Sequence, residues 1–434
     1  MKRLLKKFLP ASMLLFYHKI LAVCANLFYF FPSRHLKVIG VTGTNGKTTT
    51  CNLIWQILTE SGFKVGLTTS INFKIGEKSW VNLTKQGMQG RFRLQQLLRQ
   101  MARAGCQYAV IETTSEGIKQ CRHWGINYKV AVFTNLTPEH IEAHRSFENY
   151  KQAKGQLFAA LKGKGISIVN LDDEHAGYFL GFGAKEKWGY GMEHETWNME
   201  QNYRLLITNY QLFSKGAEFA VQYDGQEYQF KTNLLGQFNI YNCLAAIAVG
   251  LSQKIEMKVI QEALEKTKPV AGRMEVIYDK NRDLTVIVDY AHDPAALENV
   301  YEAIKSLEKA NIIAVLGAVG GGRDKAKRPK LGALASKYAQ YVIITNEDPY
   351  DDDPREIMNQ VEAGVKDDPK RKINQNYWMI LDRREAIKKA VELACSGDII
   401  ALTGKGCEEV MAVKGGFIPW DDRKVAREVL EQKN

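Results

Sequence analysis

The chain opens with a largely apolar run, Ser12 to Phe31, behind a basic start of Lys2, Arg3, Lys6 and Lys7. Within the run Ser12, Lys19 and Asn26 recur every seven residues, which draws one narrow polar stripe along a helix. No small-residue cleavage site precedes Pro32-Ser33-Arg34, so the run does not read as a leader peptide. Three readings are open for it: a helix packed on the first domain, a helix lying in a membrane interface, or a span of minimal length.

Beyond this run the periodicity changes. Leu36–Val41 is a short apolar, β-branched run that ends in Thr42-Gly43-Thr44-Asn45-Gly46-Lys47-Thr48, and a helical pattern from Thr49 to Ser61 follows, closed by Gly62. Strand-like runs recur at Tyr108–Ile111, Val130–Thr134 and Ile166–Asn170 with helical stretches between them, which predicts a parallel sheet. From about Lys185 to Lys231 the runs become short, alternating and aromatic-rich, predicting a small antiparallel β excursion before the helix Asn239–Leu251. Lys268-Pro269-Val270-Ala271-Gly272-Arg273 reads as a hinge. After it come strands at Thr285–Asp289, Ile312–Leu316, Tyr341–Thr345 and Asp398–Leu402. The expected organisation is an amino-terminal helix (1–35), a P-loop-type α/β ATPase domain carrying the excursion (36–272) and a Rossmann-like α/β domain (273–434).

Composition narrows the function classes. The 434 residues allow two or three domains, and 45% hydrophobic with 25% charged residues is ordinary for a folded soluble chain. The net charge of +11 is dispersed without interleaved aromatic residues, which argues against nucleic acid and for phosphorylated substrates or acidic lipid head groups. Seven cysteines without a CxxC pair argue against a zinc site and a disulfide framework and point to a reducing cytoplasm, with the inner face of the membrane open through the apolar amino-terminal helix.

The glycine loop carries the first chemistry. A loop that enters a helix through Gly46-Lys47-Thr48 turns free N–H groups and the helix dipole onto phosphate oxygens. Lys47 is then placed over the β/γ phosphates and the Thr48 hydroxyl on magnesium. The strict P-loop spacing fails, because Val41 stands six residues before Lys47. Alone, the loop says only that the chain binds a nucleotide.

The string Gly43-Thr44-Asn45-Gly46-Lys47-Thr48-Thr49 resembles the nucleotide loop of the Mur ligase family, which includes the cytoplasmic peptidoglycan amino-acid ligases and folylpolyglutamate synthase. The resemblance continues in order through Glu112-Thr113-Thr114-Ser115, Thr134-Asn135-Leu136-Thr137-Pro138-Glu139-His140, Tyr150-Lys151-Gln152-Ala153-Lys154 and Asn170-Leu171-Asp172-Asp173. It runs on through Gly236–Asn242, Gly272-Arg273-Met274-Glu275 and Asp289-Tyr290-Ala291-His292 to Asp382–Ile387 and Gly404-Lys405-Gly406. Within the family these strings are most similar to the third-step ligases, the UDP-N-acetylmuramoyl-tripeptide synthetases.

The resemblance implies ATP-dependent formation of an amide through an acyl phosphate, in which positioning and charge stabilisation do most of the work. Gly43, Thr44, Asn45, Gly46, Lys47, Thr48 and Thr49 would cradle the phosphates. Thr48, Glu112 and His140 would hold Mg²⁺, and Lys154 falls where the family carries a carbamylated lysine. Asn239 and Asn242 match an adenine-contacting pair. Arg273, Asp289 and His292 match positions near the phosphates and ribose, with closure of the second domain completing the site. Ser115, Asp348, Tyr350, Arg383 and Glu408 fall on the substrate side.

There are departures from the family pattern. About 40 residues precede the loop where the peptidoglycan ligases carry a whole UDP-binding domain, so the acceptor is gripped differently, is no UDP-sugar, or is lipid-linked and reached through the apolar helix. Gly87-Met88-Gln89-Gly90-Arg91 replaces a Thr-Pro element, and Glu116 stands where histidine is common. Glu347-Asp348-Pro349-Tyr350 lacks the arginine that marks diaminopimelate use; Asp348 suits a distal ammonium and favours lysine or another cationic amino acid. The rivals are a folylpolyglutamate synthase-like enzyme, a ligase acting on a lipid-linked substrate and, from another class, a membrane-attached nucleotide-hydrolysing switch.

Overall fold

The computed structural model describes residues 11–84, 86–139, 141–192, 203–307, 311–322 and 325–432. The chain divides into two compact units. The first comprises Met1–Gln211, Glu218–Thr232 and Phe238–Thr267; the second comprises Leu212–Ala217, Asn233–Gln237 and Lys268–Asn434.

The elements before and within the first half are α1 (Ala11–Phe28), β1 (Lys37–Thr42), α2 (Lys47–Glu60), β2 (Val65–Thr68), β3 (Asn72–Ile75), β4 (Lys78–Val81), α3 (Arg91–Arg103), β5 (Tyr108–Glu112), α4 (Ser115–Lys119) and β6 (Tyr128–Phe133). Next come α5 (Ile141–His144), α6 (Phe147–Ala159), β7 (Ile166–Asn170), α7 (Ala176–Leu180), β8 (Glu186–Gly191), β9 (Tyr203–Phe213), β10 (Gly216–Tyr223), β11 (Gln226–Thr232), α8 (Gln237–Ser252) and α9 (Met257–Glu265). All these strands join one sheet in the order β11-β10-β9-β8-β7-β6-β1-β5-β2-β3-β4.

The central strands are parallel and covered on both faces, which is why they read as unbroken apolar runs. From β1 the chain moves to β2 on one side, and it later crosses from β5 to β6 on the other. The loops after β1, β5 and β6 therefore open into one crevice at the carboxyl ends of neighbouring strands, where ligands of open α/β sheets bind. The aromatic-rich excursion is continuous with this sheet, since β9 pairs parallel with β8 and β8 with β7. Adding strands there covers an edge that would otherwise leave a row of N–H and C=O groups unpaired.

The second unit continues with β12 (Glu275–Asp279), β13 (Leu284–Asp289), α10 (Pro294–Lys305), β14 (Ile312–Leu316), α11 (Lys327–Tyr338), β15 (Tyr341–Thr345), α12 (Pro354–Lys366), β16 (Tyr377–Ile380), α13 (Arg383–Leu393), β17 (Ile399–Thr403), β18 (Val410–Val413), β19 (Gly416–Pro419) and α14 (Asp422–Glu431). Its sheet runs β12-β13-β17-β14-β15-β16, parallel except for β12 against β13. The candidate residues 289–292, 348–350, 383 and 404–408 all follow the carboxyl ends of these parallel strands.

The apolar amino-terminal run forms α1, and its inner face packs on the first unit. Ala22, Ala25 and Asn26 are buried, the Asn26 amide donates to the carbonyls of Ala22 (2.8 Å) and Trp124 (2.9 Å), and the Lys19 ammonium lies 4.9 Å from the Trp124 ring centre. Among the described residues no helix is long and apolar enough to cross a membrane.

Next to this contact His123 is buried, its Nδ1 has no hydrogen-bond partner, and burial pushes its pKa down to about 4. An unfolded imidazole titrates near 6.5, so between about 6.5 and 4 the unfolded chain binds the extra proton and stability falls as pH falls. The loss should approach ~3 kcal/mol by pH 4. Thermal midpoints measured across that window should fall more steeply for the native chain than for His123→Gln; parallel curves would contradict this.

Candidate functional site

In the first unit the site grows from the β1–α2 loop. Gly46 caps α2 in the left-handed region (φ 80°) with no side-chain cap, which leaves the first N–H groups of the helix open to an anion. A Cβ at Gly46 would lie 2.3 Å from Asn242 Oδ1, and one at Gly43 would lie 1.9 Å from Thr134 Oγ1. The loop is held from outside: Asn45 N–H donates to Asn135 Oδ1 at 2.8 Å, Thr44 N–H to the Asn135 carbonyl at 2.8 Å, and the Thr134 hydroxyl to the Asn45 carbonyl at 2.7 Å. Lys47 folds back so that its ammonium donates to the carbonyls of Gly43 (3.0 Å) and Thr44 (2.6 Å), which parks it at the loop.

Behind the loop lies a cluster of hard oxygen atoms. The Thr48 hydroxyl donates to Glu112 Oε2 at 2.8 Å and lies 2.9 Å from Ser70 Oγ, while Ser70 N–H donates to the same carboxylate oxygen at 2.9 Å. Glu112 is buried. Two hydroxyls and a carboxylate suit Mg²⁺, which takes oxygen ligands and keeps part of its water shell. Among the described residues no three His, Cys, Asp or Glu side chains group as a metal cage. His140, expected to share the metal, lies outside the described residues.

Lys154 is buried beside the loop. Its ammonium donates to the Gly43 carbonyl and lies 4.4 Å from the Tyr150 ring centre, and the Tyr150 hydroxyl is 3.0 Å from Thr44 Oγ1. Burial first, and the Lys47 charge second, hold its pKa well below the usual lysine value. Asn239 and Asn242 are brought together on α8: the Asn242 amide donates to Asn239 Oδ1 at 2.9 Å and accepts from the Thr50 hydroxyl at 3.1 Å. Thr49 is also buried on the first turn of α2.

Ser115 is engaged by His144, whose Nε2 lies 3.1 Å from its hydroxyl, with both side chains buried. Sequence reasoning missed Ser70 and the pairing of Arg91 with Arg122. Arg122 donates to Gln86 Oε1 (3.0 Å), Gln120 Oε1 (3.0 Å) and the Met88 carbonyl, Arg91 donates to the Gln120 carbonyl, and the Nε atom of each is buried without a partner. Burial lowers the pKa of both, and the Arg91 charge lowers that of Arg122 further. The intervening loop runs past Glu112, since a Cβ on Gly87 would lie 3.3 Å from Glu112 Oε1. Two guanidinium groups drawn in beside the same loop suit an anionic group of a substrate. The only sequence signal was a pair of arginines flanking the two loops.

In the second unit Arg273 lies flat on the Tyr290 ring, 4.7 Å from its centre, with its Nε buried and unpartnered. Gly272 supports it by close approach: a Cβ there would lie 2.1 Å from Cys407 N. Asp289 is turned to the backbone, accepting from Met274 N–H and Ala291 N–H at 2.7 Å each, so it shapes the loops around Arg273. Burial raises its pKa, and Arg273 opposes that. His292 Nδ1 lies 3.0 Å from the Tyr290 carbonyl, which fixes its ring beside Tyr290.

The residues expected on the amino-acid side divide into two groups. Lys405 is fully buried and donates to Asp348 Oδ1 (2.7 Å), to Glu408 and to the Val410 carbonyl (2.8 Å), and Ala412 N–H also donates to Asp348 Oδ1 at 2.7 Å. Asp348 is thus bonded to Lys405 and to the β18 backbone. These two bonds fall on Oδ1, the oxygen shared by the Lys405 ammonium and the Ala412 N–H. Tyr350 sits at φ 54° with its N–H on the Ala412 carbonyl (3.2 Å) and its ring against Gly321. Arg383 is clamped bidentately by Asp422 (2.8 and 2.7 Å) and donates to the carbonyls of Thr403 and Asn346, so its charge-bearing donors are used inside the unit. It ties β15, β17 and α14 together.

Comparison with known proteins follows the same division. Residues 41–250 match the Mur ligase middle domain, and residues 272–406 match the Mur ligase glutamate ligase domain. The chain is 37% identical over 412 residues to the UDP-N-acetylmuramoyl-L-alanyl-D-glutamate--2,6-diaminopimelate ligase of Aquifex aeolicus, covering 95% of this chain and 81% of the relative. It is 36% identical to the protein of the same name from Geobacillus kaustophilus, covering 96% and 83%. A solved structure of such a ligase superposes with a TM-score of 0.61 at 29% identity, covering 92% of this chain and 79% of that one. Folylpolyglutamate synthase of Mycobacterium tuberculosis shares the fold, with a TM-score of 0.72 at 18% identity over 93% and 94% of the two chains.

Proposed function

The chain belongs to the Mur ligase family and is an ATP-dependent, amide-forming ligase; from that premise we propose that it adds a diamino acid to the carboxylate of a UDP-N-acetylmuramoyl-peptide through an acyl phosphate. The observation that carries the reading is the cluster of Thr48, Ser70 and Glu112 behind an uncapped glycine loop, with Arg91 at the start of α3 and Arg122 after α4 beside it. Mg²⁺, held by Thr48 and Glu112, would supply positive charge to the phosphate oxygens.

The residues divide the work. The loop N–H groups and Lys47 bind the β/γ phosphates, and Asn239 and Asn242 hold the base. Arg91 and Arg122 orient the anionic acceptor so that its carboxylate oxygen attacks the γ-phosphorus. Arg273 steadies the phosphoryl group released as phosphate when the amine attacks the acyl carbon. Asp289 and His292 keep that arginine loop in shape.

The buried charges of the second unit favour a cationic amino acid. Asp348 and Glu408 both bond Lys405, while Arg383 is already matched by Asp422. The surplus is negative, so a second amino group on the substrate would be welcome. Glu408, on the rim of this cluster, and Tyr350 are the contacts assigned to it. The same reading includes a carbamylated Lys154: its depressed pKa leaves a free amine that can add CO₂ and release a proton. It also includes a peripheral contact of α1 with the inner face of a membrane.

Phosphate release from ATP and Mg²⁺ with UDP-N-acetylmuramoyl-dipeptide, scanned over single amino acids, tests the proposal. Turnover confined to a diamino acid is expected, and it should fall in CO₂-depleted buffer and return with bicarbonate. Turnover with glutamate on a folate acceptor would overturn the substrate assignment, and a rate indifferent to bicarbonate would remove the carbamate.

A further inference from the structure

We propose that α1 and α3 together form a docking face for an anionic lipid surface, on which the protein lies without crossing it. This deepens the peripheral-contact part of the proposed function and does not depend on the ligase chemistry.

The inner face of α1 is used in packing, as described above, but its outer face is apolar and uncovered. Phe16, Tyr17, Ile20, Val23, Leu27 and Phe28 are all exposed and recur at helical spacing, with Phe16 65% and Phe28 67% exposed. The patch continues onto α3, which packs beside α1: Phe92 is exposed and meets Phe28 edge-on, with ring centres 6.3 Å apart. Phe30, 73% exposed, extends it past the end of α1 and lies 6.0 Å from the Arg99 guanidinium. Monomeric soluble proteins rarely leave so continuous an apolar surface uncovered without a use for it.

Charge selects the occupant. Neither helix contains an Asp or Glu, whereas α3 carries Arg93, Arg99 and Arg103 besides the inward-turned Arg91. The first acidic residue of the chain is Glu60, and the sequence before and just after α1 carries Lys2, Arg3, Lys6, Lys7 and Arg34. A second copy docked through the same face would set these cations against one another, because a two-fold interface brings identical patches together. A surface of acidic head groups meets the cations with opposite charge and receives the aromatic and aliphatic side chains between them. Arg99, set over the Phe30 ring, stands at the head-group level.

Co-sedimentation of the full chain with phosphatidylcholine vesicles, with and without roughly one third phosphatidylglycerol, tests the proposal. Binding at least about tenfold stronger to the anionic vesicles, and weakened by salt, is expected. Phe16→Glu with Ile20→Glu should abolish it; replacing Lys2, Arg3, Lys6 and Lys7 by Gln should reduce it and flatten its salt dependence. Both variants should keep the native thermal midpoint and lipid-free ATP turnover, which separates loss of docking from loss of fold. No preference for anionic vesicles, or binding unchanged in the Phe16/Ile20 variant, would overturn the proposal. So would a native dimer that this variant dissociates without any vesicle binding. Loss of ligase turnover with vesicle binding intact would count against the ligase reading alone.

Discussion

Glu112→Gln is expected to lower turnover by roughly 10³-fold while the chain still folds and binds ATP. The Glu112 carboxylate oxygen accepts both the Thr48 hydroxyl and the Ser70 N–H, so it aligns two of the three oxygen-bearing groups behind the phosphate loop. A glutamine keeps the shape and one acceptor but removes the negative charge that would draw a divalent cation to the loop. The Mg²⁺ concentration for half-maximal rate should rise by about tenfold, a shift that a purely structural change would not cause. Burial makes the neutral amide cheap to accommodate, so the thermal midpoint should hold or rise. Turnover within a few-fold of the native chain would refute the assignment of this cluster.

Lys405→Met is expected to cost about 3–5 kcal/mol and to abolish amino-acid-dependent turnover. Its ammonium, with no exposed surface, satisfies Asp348, Glu408 and the Val410 carbonyl at once. Removing it leaves two carboxylates facing each other without a cation, and the uncompensated charge, not the lost bond, sets the cost. Adding Asp348→Asn should therefore recover a good part of the stability, because the amide still accepts the Ala412 N–H. It should not restore activity. Urea midpoints of the single and double variants check this; a double variant no more stable than Lys405→Met would show that the pairing is not the source of the loss.

What was legible in the sequence was whatever lies contiguously along the chain. The parallel strands are buried on both faces, so β7 and β14 show as apolar runs with the same limits as the observed elements, Ile166–Asn170 and Ile312–Leu316. The phosphate loop was legible for the same reason, since its strand, glycines, Lys47 and helix are consecutive. The short, half-exposed hairpin strands β3 and β4 gave no such run, and the Ser70 beside them went unnoticed. Pairings between distant residues were hidden too. Arg383 meets Asp422 across 39 residues and Lys405 meets Asp348 across 57, so a motif could mark each residue but not show that its donors or acceptors were already engaged. The same holds for Arg91 and Arg122, whose approach depends on two loops folding together.

The central claim, that the acceptor carboxylate is activated as an acyl phosphate, is tested most directly with ¹⁸O in that carboxylate. The chemistry built on Lys47, Thr48 and Glu112 predicts that one labelled oxygen appears in the phosphate released as the amide forms. Phosphate whose added oxygen comes from solvent, with none from the labelled carboxylate, released at the same rate with or without the amino acid, would make the chain a nucleotide hydrolase and contradict the account.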